Sequence, residues 1–258
     1  MVFDLWQYAL VCVMVFAAGF VDAIAGGGGL ISIPGYMIAG LPAHFALGTN
    51  KLSSTLGTMV ATLRFVRQGY ILWKLALCCS VAGLVGSVLG AHAAILINER
   101  MLKIAMLFII PATAVFLMRS RSFKRSDTAS VTTVSPAGFV TAISISLAIG
   151  IYDGIYGPGT GTFLILLFTA IVHLSLRKAN GTAKVINLTT NISALIVFLV
   201  SGKVMIIMGL IAGVFNMAGN YLGAVMFSRG GAKIVRPMML TVMGIFMVKV
   251  IYELWFQS

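Results

Sequence analysis

The sequence contains few charged residues for its length. Only 9% of its 258 residues are charged, while 60% are hydrophobic. In a typical soluble domain about a quarter of the residues are charged. So few polar residues cannot cover the surface of a water-soluble protein of this size. The composition therefore indicates an all-α polytopic membrane protein, with the lipid bilayer as its surroundings.

Acidic residues are especially scarce. The chain has 6 Asp and Glu against 18 Lys and Arg, which gives a formal net charge of +12. In a soluble protein this excess would suggest a nucleic-acid partner. Here too few polar residues remain to form a phosphate-binding face, so we expect no nucleic acid. Cytoplasmic loops of membrane proteins accumulate Lys and Arg, and the excess is therefore interpreted as a signal of orientation.

The usual signs of a secreted or catalytic protein are also missing. Cys12, Cys78 and Cys79 are odd in number and lie in apolar runs, so they form no disulfide framework. Asp4 is the only charge near the N-terminus, which lacks the basic region of a signal peptide. No nucleophile–base pair and no metal-ligand spacing is recognisable. We expect a retained first membrane segment, no metal, no cofactor, no catalytic residues and no enzymatic activity.

An internal duplication organises the chain. The glycine-rich stretch around Asp22 recurs around Asp153, and Gly-Thr-Asn-Lys51 recurs as Gly-Thr-Ala-Lys184. The register then persists over about 100 residues, which indicates two homologous halves. We place the halves at 1–118 and 136–258, with a polar, basic linker at 119–135 between them.

Each half begins with a long apolar segment, a glycine cluster and a short apolar segment. The glycine clusters are 26–29 and 157–161, and the short segments that follow are 30–41 and 160–173. A helix that crosses the bilayer needs about 20 apolar residues, so these segments are too short to cross unaided. Each half is predicted to be a Gly-tipped broken or re-entrant helix hairpin followed by three transmembrane helices. The predicted segments are 5–24, 30–41, 45–64, 75–97 and 101–118, then 137–152, 160–173, 182–201, 204–228 and 237–256.

The charges of the turns predict inverted repeats. With the linker in the cytoplasm, an odd number of spans turns the second half over. The Lys and Arg counts of equivalent turns then change from 3 and 2 in the first half to 1 and 3 in the second. Parallel repeats would not exchange this bias. Both termini are expected outside the cytoplasm. The alternative is eight spans in two parallel four-span halves.

Four charged residues lie in apolar segments instead of loops: Asp22, Lys51, Asp153 and Lys184. Ionisable groups at membrane depth cost at least about 2.5–3.5 kcal/mol each, so they are functional candidates by default. The lysines could bind an anion, and the aspartates could couple protons or orient the lysines. The alternative is a structural Asp–Lys salt bridge inside each half.

The glycine clusters and a polar stripe complete the candidate site. Helix N-termini bind anions through free N–H groups and the positive end of the helix dipole. Transporters with repeats place such termini near the membrane midplane. Polar residues spaced 3 and 4 apart follow each lysine on one helix face. The predicted substrate-binding residues are Lys51, Lys184, Gly27, Gly28, Gly29, Gly159, Thr160, Gly161, Asn50, Ser54, Thr58, Asn187 and Asn191.

Each of these features also has a structural interpretation. Small residues allow close helix packing in membranes, and Ser and Thr form hydrogen bonds between helices. Packing is the interpretation we favour for Gly86, Gly90, Gly219 and Gly223. A run of four glycines at 26–29 is poor helix material, and packing explains it less well.

The first-half motifs, from Gly19 to Pro34 and from Ala46 to Lys51, resemble those of the TauE/SafE sulfite exporter family, also called the toluene sulfonate uptake permease family. The second-half stretches resemble the weaker repeat of that family but carry Pro158 in the glycine cluster and Ala183 in place of Asn50. The resemblance implies a multi-pass transporter in the bacterial inner membrane. It further implies sulfite or organosulfonates such as sulfoacetate as substrates, usually exported.

Two other functions stay open. One is a cation-coupled or proton-coupled carrier in which Asp22 and Asp153 bind another small substrate. The other is a membrane assembly subunit without transport. The expected partners are a small anionic substrate and the lipid bilayer. The sequence leaves proton coupling and assembly into a homo-oligomer undecided.

Overall fold

The computed structural model describes residues 3–119 and 134–229, and these residues form nine α-helices. Most of the linker and the last predicted segment, 237–256, lie outside the described residues. The helices are α1 (Leu5–Ala25), α2 (Gly29–Ile38), α3 (Ala43–Arg67), α4 (Trp73–Leu96), α5 (Glu99–Arg119), α6 (Pro136–Ile155), α7 (Thr160–Ala170), α8 (Leu176–Val200) and α9 (Ile206–Ser228).

Capping side chains define several of the helix starts. The backbone N–H of Asp4 donates to Gln7 Oε1 at 2.7 Å in the first turn of α1. Ser135 Oγ accepts a hydrogen bond from the Gly138 N–H at 3.1 Å, and Pro136 stands at the first helical position of α6, where no N–H is needed. Ser175 Oγ caps α8 in the same way, accepting from the Lys178 N–H at 3.4 Å.

Two antiparallel hairpins, α1–α2 and α6–α7, form at the glycine clusters. The Gln7 side chain at the start of α1 donates to the Ala39 carbonyl at the end of α2, at 2.7 Å. In the second hairpin, Val172 beyond the end of α7 lies beside Gly138 at the start of α6. The returning helices have only 10 and 11 residues, or about 15 Å of helix each. The two short helices predicted from the sequence are therefore present.

Glycines allow the hairpins to pack tightly against helices of the other half. A side chain at Gly86 of α4 would overlap the Leu147 carbonyl of α6, and one at Gly90 would overlap the Ile151 carbonyl. The equivalent glycines of α9, Gly219 and Gly223, lie in the same way against α1. The packing role of these four glycines is confirmed. In both pairs the residue numbers rise together, so α4 runs parallel to α6 and α9 runs parallel to α1.

Helices α3 and α8 cross at the centre and run antiparallel. Thr62, near the end of α3, donates to the carbonyl of Lys184 near the start of α8, at 3.4 Å. Lys51, near the start of α3, donates to Asn191 Oδ1 further along α8, at 3.2 Å. These two helices carry most of the polar residues predicted for the site.

Five of the described helices, α1, α4, α6, α8 and α9, are long and apolar enough to cross a membrane. Many of their large hydrophobic side chains are exposed, for example Val81, Val140 and Val214, each 63–67% accessible. Exposed apolar side chains on several sides suit a lipid environment. The described residues form a multi-pass, all-helical membrane protein.

Candidate functional site

The tips of the two hairpins meet at the centre of the protein. Gly26, with φ of 75°, lies against the backbone of Gly161, where a side chain on Gly26 would overlap main-chain atoms. Thr162 joins the tips, because its N–H donates to the Gly26 carbonyl at 3.3 Å and its hydroxyl donates to the Ala25 carbonyl at 2.6 Å. Close approach is thus one function of the glycine clusters.

A small polar cavity lies between these tips, α3 and α8. Its volume is about 20 Å³, which is room for about one water molecule. Most of the predicted site residues line it. Gly26 and Gly157 line it as well and are additional to the predicted set. The lining residues are Asp22, Gly26, Gly29, Asn50, Lys51, Ser54, Thr58, Asp153, Gly157, Thr160, Gly161, Asn187 and Asn191.

Four predicted residues do not line the cavity. Gly27, Gly28 and Gly159 belong to the turns that lead into α2 and α7. Lys184 stands behind Asp22 and reaches the cavity only through that carboxylate.

The two buried ion pairs join opposite halves. Lys51 Nζ lies 2.8 Å from Asp153 Oδ2, and Lys184 Nζ lies 2.6 Å from Asp22 Oδ2. Both lysine side chains are at most 2% exposed. The pairing inside each half that the structural alternative assumed is therefore wrong, because each lysine pairs with the aspartate of the other half. Each pair ties the hairpin of one half to the central helix of the other.

The Gly-Thr-x-Lys motif forms the same contacts twice. Gly48 leaves room for the Lys203 carbonyl, and Gly181 leaves room for the Tyr70 carbonyl. The following threonines then accept hydrogen bonds at the turns before α9 and α4. Thr49 Oγ1 accepts from the Met205 N–H at 3.0 Å, and Thr182 Oγ1 accepts from the Leu72 N–H at 3.3 Å. The motif therefore anchors a turn of the opposite half and directs its lysine towards the opposite hairpin.

The two aspartates have different surroundings. Thr160 donates to Asp153 Oδ1 at 2.7 Å, while Asp153 Oδ2 makes only the ion pair with Lys51. The position equivalent to Thr160 is Gly29, which has no hydroxyl, and the Asp22 side chain is 13% exposed against 2% for Asp153. Asp22 is therefore the more accessible of the two aspartates.

Several hydrogen-bond donors at the cavity have no acceptor within the described residues. The N–H groups of Gly29 and Gly161, at the starts of α2 and α7, donate no hydrogen bond there. The hydroxyl of Thr58 is buried and has no partner. Free N–H groups at two helix N-termini are the donors that bind an oxyanion. The arrangement thus offers donors to a small ligand from both halves.

Other polar residues of the stripe bond to one another. Asn50 Oδ1 accepts from Ser32 at 2.6 Å and from Ser54 at 3.2 Å, which joins α2 to α3. Asn191 Nδ2 donates to Asn187 Oδ1 at 3.5 Å within α8. Between residues 3–119 and 134–229, no group of three or more His, Cys, Asp or Glu could hold a metal ion.

Two broken hairpins that meet at a buried polar centre are an arrangement typical of secondary transporters. Comparison with known proteins agrees with that class. The family model described as sulfite exporter TauE/SafE matches residues 11–250. The chain therefore belongs to the TauE/SafE family of membrane transporters, as the resemblance of its motifs indicated.

Several relatives match the chain over most of its length. A protein from a Sinorhizobium species named "Probable membrane transporter protein ORF9" is 37% identical over 91% of this chain and 88% of its own. A "Probable membrane transporter protein" from Haemophilus influenzae is 31% identical over 93% of both chains. The Escherichia coli K12 protein named "Probable membrane transporter protein YfcA" is 32% identical over 92% of this chain and 86% of its own. These names describe transporters, not enzymes. No solved structure matches the chain significantly.

Proposed function

We propose that the protein carries a small sulfur-containing anion, sulfite or an organosulfonate such as sulfoacetate, out of the bacterial cytoplasm. One observation carries this proposal: two helix N-termini and Lys51 meet at a single cavity, and Lys184 of the other half pairs with Asp22 in its wall. A sulfite or sulfonate group has three oxygens for these donors. The name of the family supports the choice of sulfur anions.

We further propose that the two halves are inverted repeats. Support comes from α3 and α8, which occupy equivalent positions and run antiparallel. The parallel pairs α4–α6 and α9–α1 are consistent with inverted repeats. Helix α4 is equivalent to α9 and α6 is equivalent to α1, so the two pairs are the same contact formed once by each half. In this arrangement α2 and α7 enter from opposite sides and their tips meet near the membrane midplane.

Basic residues give this arrangement an orientation. Arg64, Arg67, Lys74, Arg177 and Lys178 lie at one end of the bundle, at which the linker also begins. The Nζ of Lys178 donates to the Gly69 carbonyl at 2.7 Å, so the turns of both halves meet there. By the distribution of positive charge this end is cytoplasmic, and both termini are external.

The paired lysines set a condition for substrate binding. The cavity of about 20 Å³ is too small for a sulfonate, and both lysines are neutralised by aspartates. An anion must therefore displace a carboxylate from its lysine while the hairpin tips move apart. The Asp22–Lys184 pair is the more accessible one, because the Asp22 side chain is 13% exposed and lacks the threonine bond that Asp153 accepts.

Outward movement of an anion needs no coupling ion. An inside-negative potential contributes about 2.3 kcal/mol per charge per 100 mV in that direction. A proton taken up by Asp22 would release Lys184 for the substrate, so proton coupling through Asp22 or Asp153 is the second candidate mechanism. It is supported by the position of both acids at the cavity.

A ligand screen by thermal unfolding tests the proposed substrate class. A ligand that binds only the folded protein raises the unfolding temperature, by an amount that grows with the logarithm of its concentration relative to its Kd. We expect sulfite or a small sulfonate to stabilise the purified protein, and chloride or small cations at the same ionic strength not to do so. Stabilisation by cations alone would favour the rival carrier in which the aspartates bind the substrate.

A further inference from the structure

The duplication also produces two equivalent grooves on the outside of the bundle. The first lies between α3 and α9, has a volume of about 340 Å³ and is lined by Val60, Leu63, Arg64, Arg67, Gln68 and Tyr221. The second lies between α4 and α8 and has a volume of about 440 Å³. Its lining includes Val88, Val197 and Val200, each 133 positions from a lining residue of the first groove.

Only the first groove is basic. Arg64 corresponds to Val197, Arg67 corresponds to Val200, and Tyr221 corresponds to Val88. Helix packing forms the second groove with valines at these positions, so packing does not require the arginines or the tyrosine. Among the residues that the structure describes, no acidic residue lines the first groove to balance the two positive charges.

Arg64 and Gln68 each have a polar atom without a hydrogen-bond partner within the described residues. The Arg64 guanidinium lies 5.0 Å from the centre of the Tyr221 ring, which directs it across the groove towards α9. Arg64 Nε and Gln68 Oε1 are buried and have no hydrogen-bond partner within the described residues. The apolar part of the groove is open, since Leu63 is 56% and Tyr221 is 50% exposed. Unpaired buried polar atoms are rare in proteins and call for a ligand or water.

We propose that this groove binds an anionic phospholipid of the cytoplasmic leaflet. Arg64 and Arg67 contact the phosphate, and an acyl chain lies along Val60 and Leu63. Arginine matches the geometry of phosphate oxygens, and basic pockets between helices on the cytoplasmic side bind anionic head groups. The proposal rests on the orientation proposed above but is independent of the transported substrate.

Complementation of the α3 dipole is a competing explanation, because cations are favourable in the last turn of a helix. It accounts for positive charge at Arg64 and Arg67 but not for a guanidinium placed over a ring of α9. It also does not account for the open apolar part of the groove next to that charge.

Native mass spectrometry of the purified protein tests the proposal. Dioleoyl phosphatidylglycerol and dioleoyl phosphatidylcholine, which differ only in the head group, are added at equal concentrations. We expect the first to bind at least about tenfold more tightly, and we expect this preference to be lost in the double variant Arg64→Gln, Arg67→Gln. The matched control is Lys74→Gln with Arg229→Gln, which removes two exposed basic residues at the same end of the bundle but outside the groove.

The outcomes separate the proposal from its rivals. Retained preference in the control variant, with an unchanged unfolding temperature of the double variant in detergent, supports a specific site. Equal loss in both variants indicates diffuse attraction to surface charge and overturns it, as does the absence of any preference in the wild type. Efficient disulfide dimers of Leu63→Cys, in a chain whose native cysteines are replaced by alanine, would make the groove an interface between copies. None of these results depends on sulfite transport.

Discussion

At the scale of single residues, the proposed function depends on which partner of each ion pair the substrate replaces. Lys184 bonds to both the side chain and the backbone carbonyl of Asp22, at 2.6 and 2.5 Å. Removal of one partner of a buried pair leaves an uncompensated charge, at a cost of about 3–5 kcal/mol. Single and double variants must therefore be compared.

Lys184→Gln, Asp22→Asn and the double variant form one such cycle. If the substrate is an anion, we expect Lys184→Gln to weaken sulfite binding at least about tenfold, because a hydrogen bond to a charged group is lost. Asp22→Asn should retain or increase the affinity, since the competing carboxylate is gone. Isothermal titration at constant pH measures both. The opposite pattern, with binding lost in Asp22→Asn and retained in Lys184→Gln, would favour the cation carrier. The double variant controls for folding.

Thr58 offers a test of the cavity that does not disturb the ion pairs. Its hydroxyl lines the cavity and has no partner within the described chain, so Thr58→Val removes no internal hydrogen bond. We expect unchanged or slightly higher stability but a three- to tenfold weaker substrate affinity, or about 0.5–1.5 kcal/mol. The control, Thr62→Val, loses a bond to the Lys184 carbonyl and should reduce stability. An unchanged affinity in Thr58→Val would exclude this hydroxyl from the site.

At the scale of helices, the contact between the hairpin tips leaves no room for a side chain on Gly26. Gly26 and Gly69 both have positive φ, 75° and 67°, but only Gly26 lies against another backbone, while Gly69 has open space around it. Substitutions at these two glycines therefore separate the free-energy cost of the left-handed backbone conformation from the cost of the steric overlap.

We expect Gly69→Ala to lower stability by about 1–2 kcal/mol, the cost of the left-handed conformation alone. Gly26→Ala adds overlap with Gly161 and should lower stability by several kcal/mol more or separate the hairpins and abolish substrate binding. Thermal unfolding in detergent, with ligand and without it, compares the two. Equal effects of both substitutions would show that the tips do not need their close contact.

Much at this scale could be predicted from the sequence. Glycine clusters before short apolar segments predicted both hairpins, and the spacing of Lys51, Ser54 and Thr58 predicted a shared helix face that does line the cavity. The partners of the lysines could not be predicted. Asp22 is closer in sequence to Lys51 than to Lys184, and the pairing across halves depends on how α3 and α8 cross. The threonine bonds of the Gly-Thr-x-Lys motif depend on the same crossing and gave no local signal.

At the scale of the whole molecule, the distribution of Lys and Arg predicts how the protein is oriented in the membrane. Lys74 lies at the start of α4, directly after the turn that follows α3, and the equivalent turn after α8 contains Lys203. Inverted repeats place these turns on opposite sides of the membrane, whereas parallel repeats place them on the same side.

Cysteine labelling from outside the cell distinguishes the two arrangements. In a chain with its native cysteines replaced by alanine, we expect an impermeant maleimide to label Lys203→Cys in intact spheroplasts. Lys74→Cys should react only after the membrane is opened. Labelling of both positions from one side would support parallel repeats, and exchanged accessibility would reverse the orientation.

A transport assay with the purified protein tests most directly whether it carries a sulfur-containing anion. Liposomes that contain the purified protein are loaded with labelled sulfite or sulfoacetate. Release of the labelled anion is then measured under a defined potassium diffusion potential. We expect liposomes with the wild-type protein to release the anion faster than protein-free liposomes, and faster still when the potential drives anions outward. The folded double variant Lys51→Gln, Asp153→Asn should release it at the protein-free rate. Equal release by the wild type and this variant, or no release of any sulfur anion by a folded protein, would contradict the proposed transport of sulfur anions.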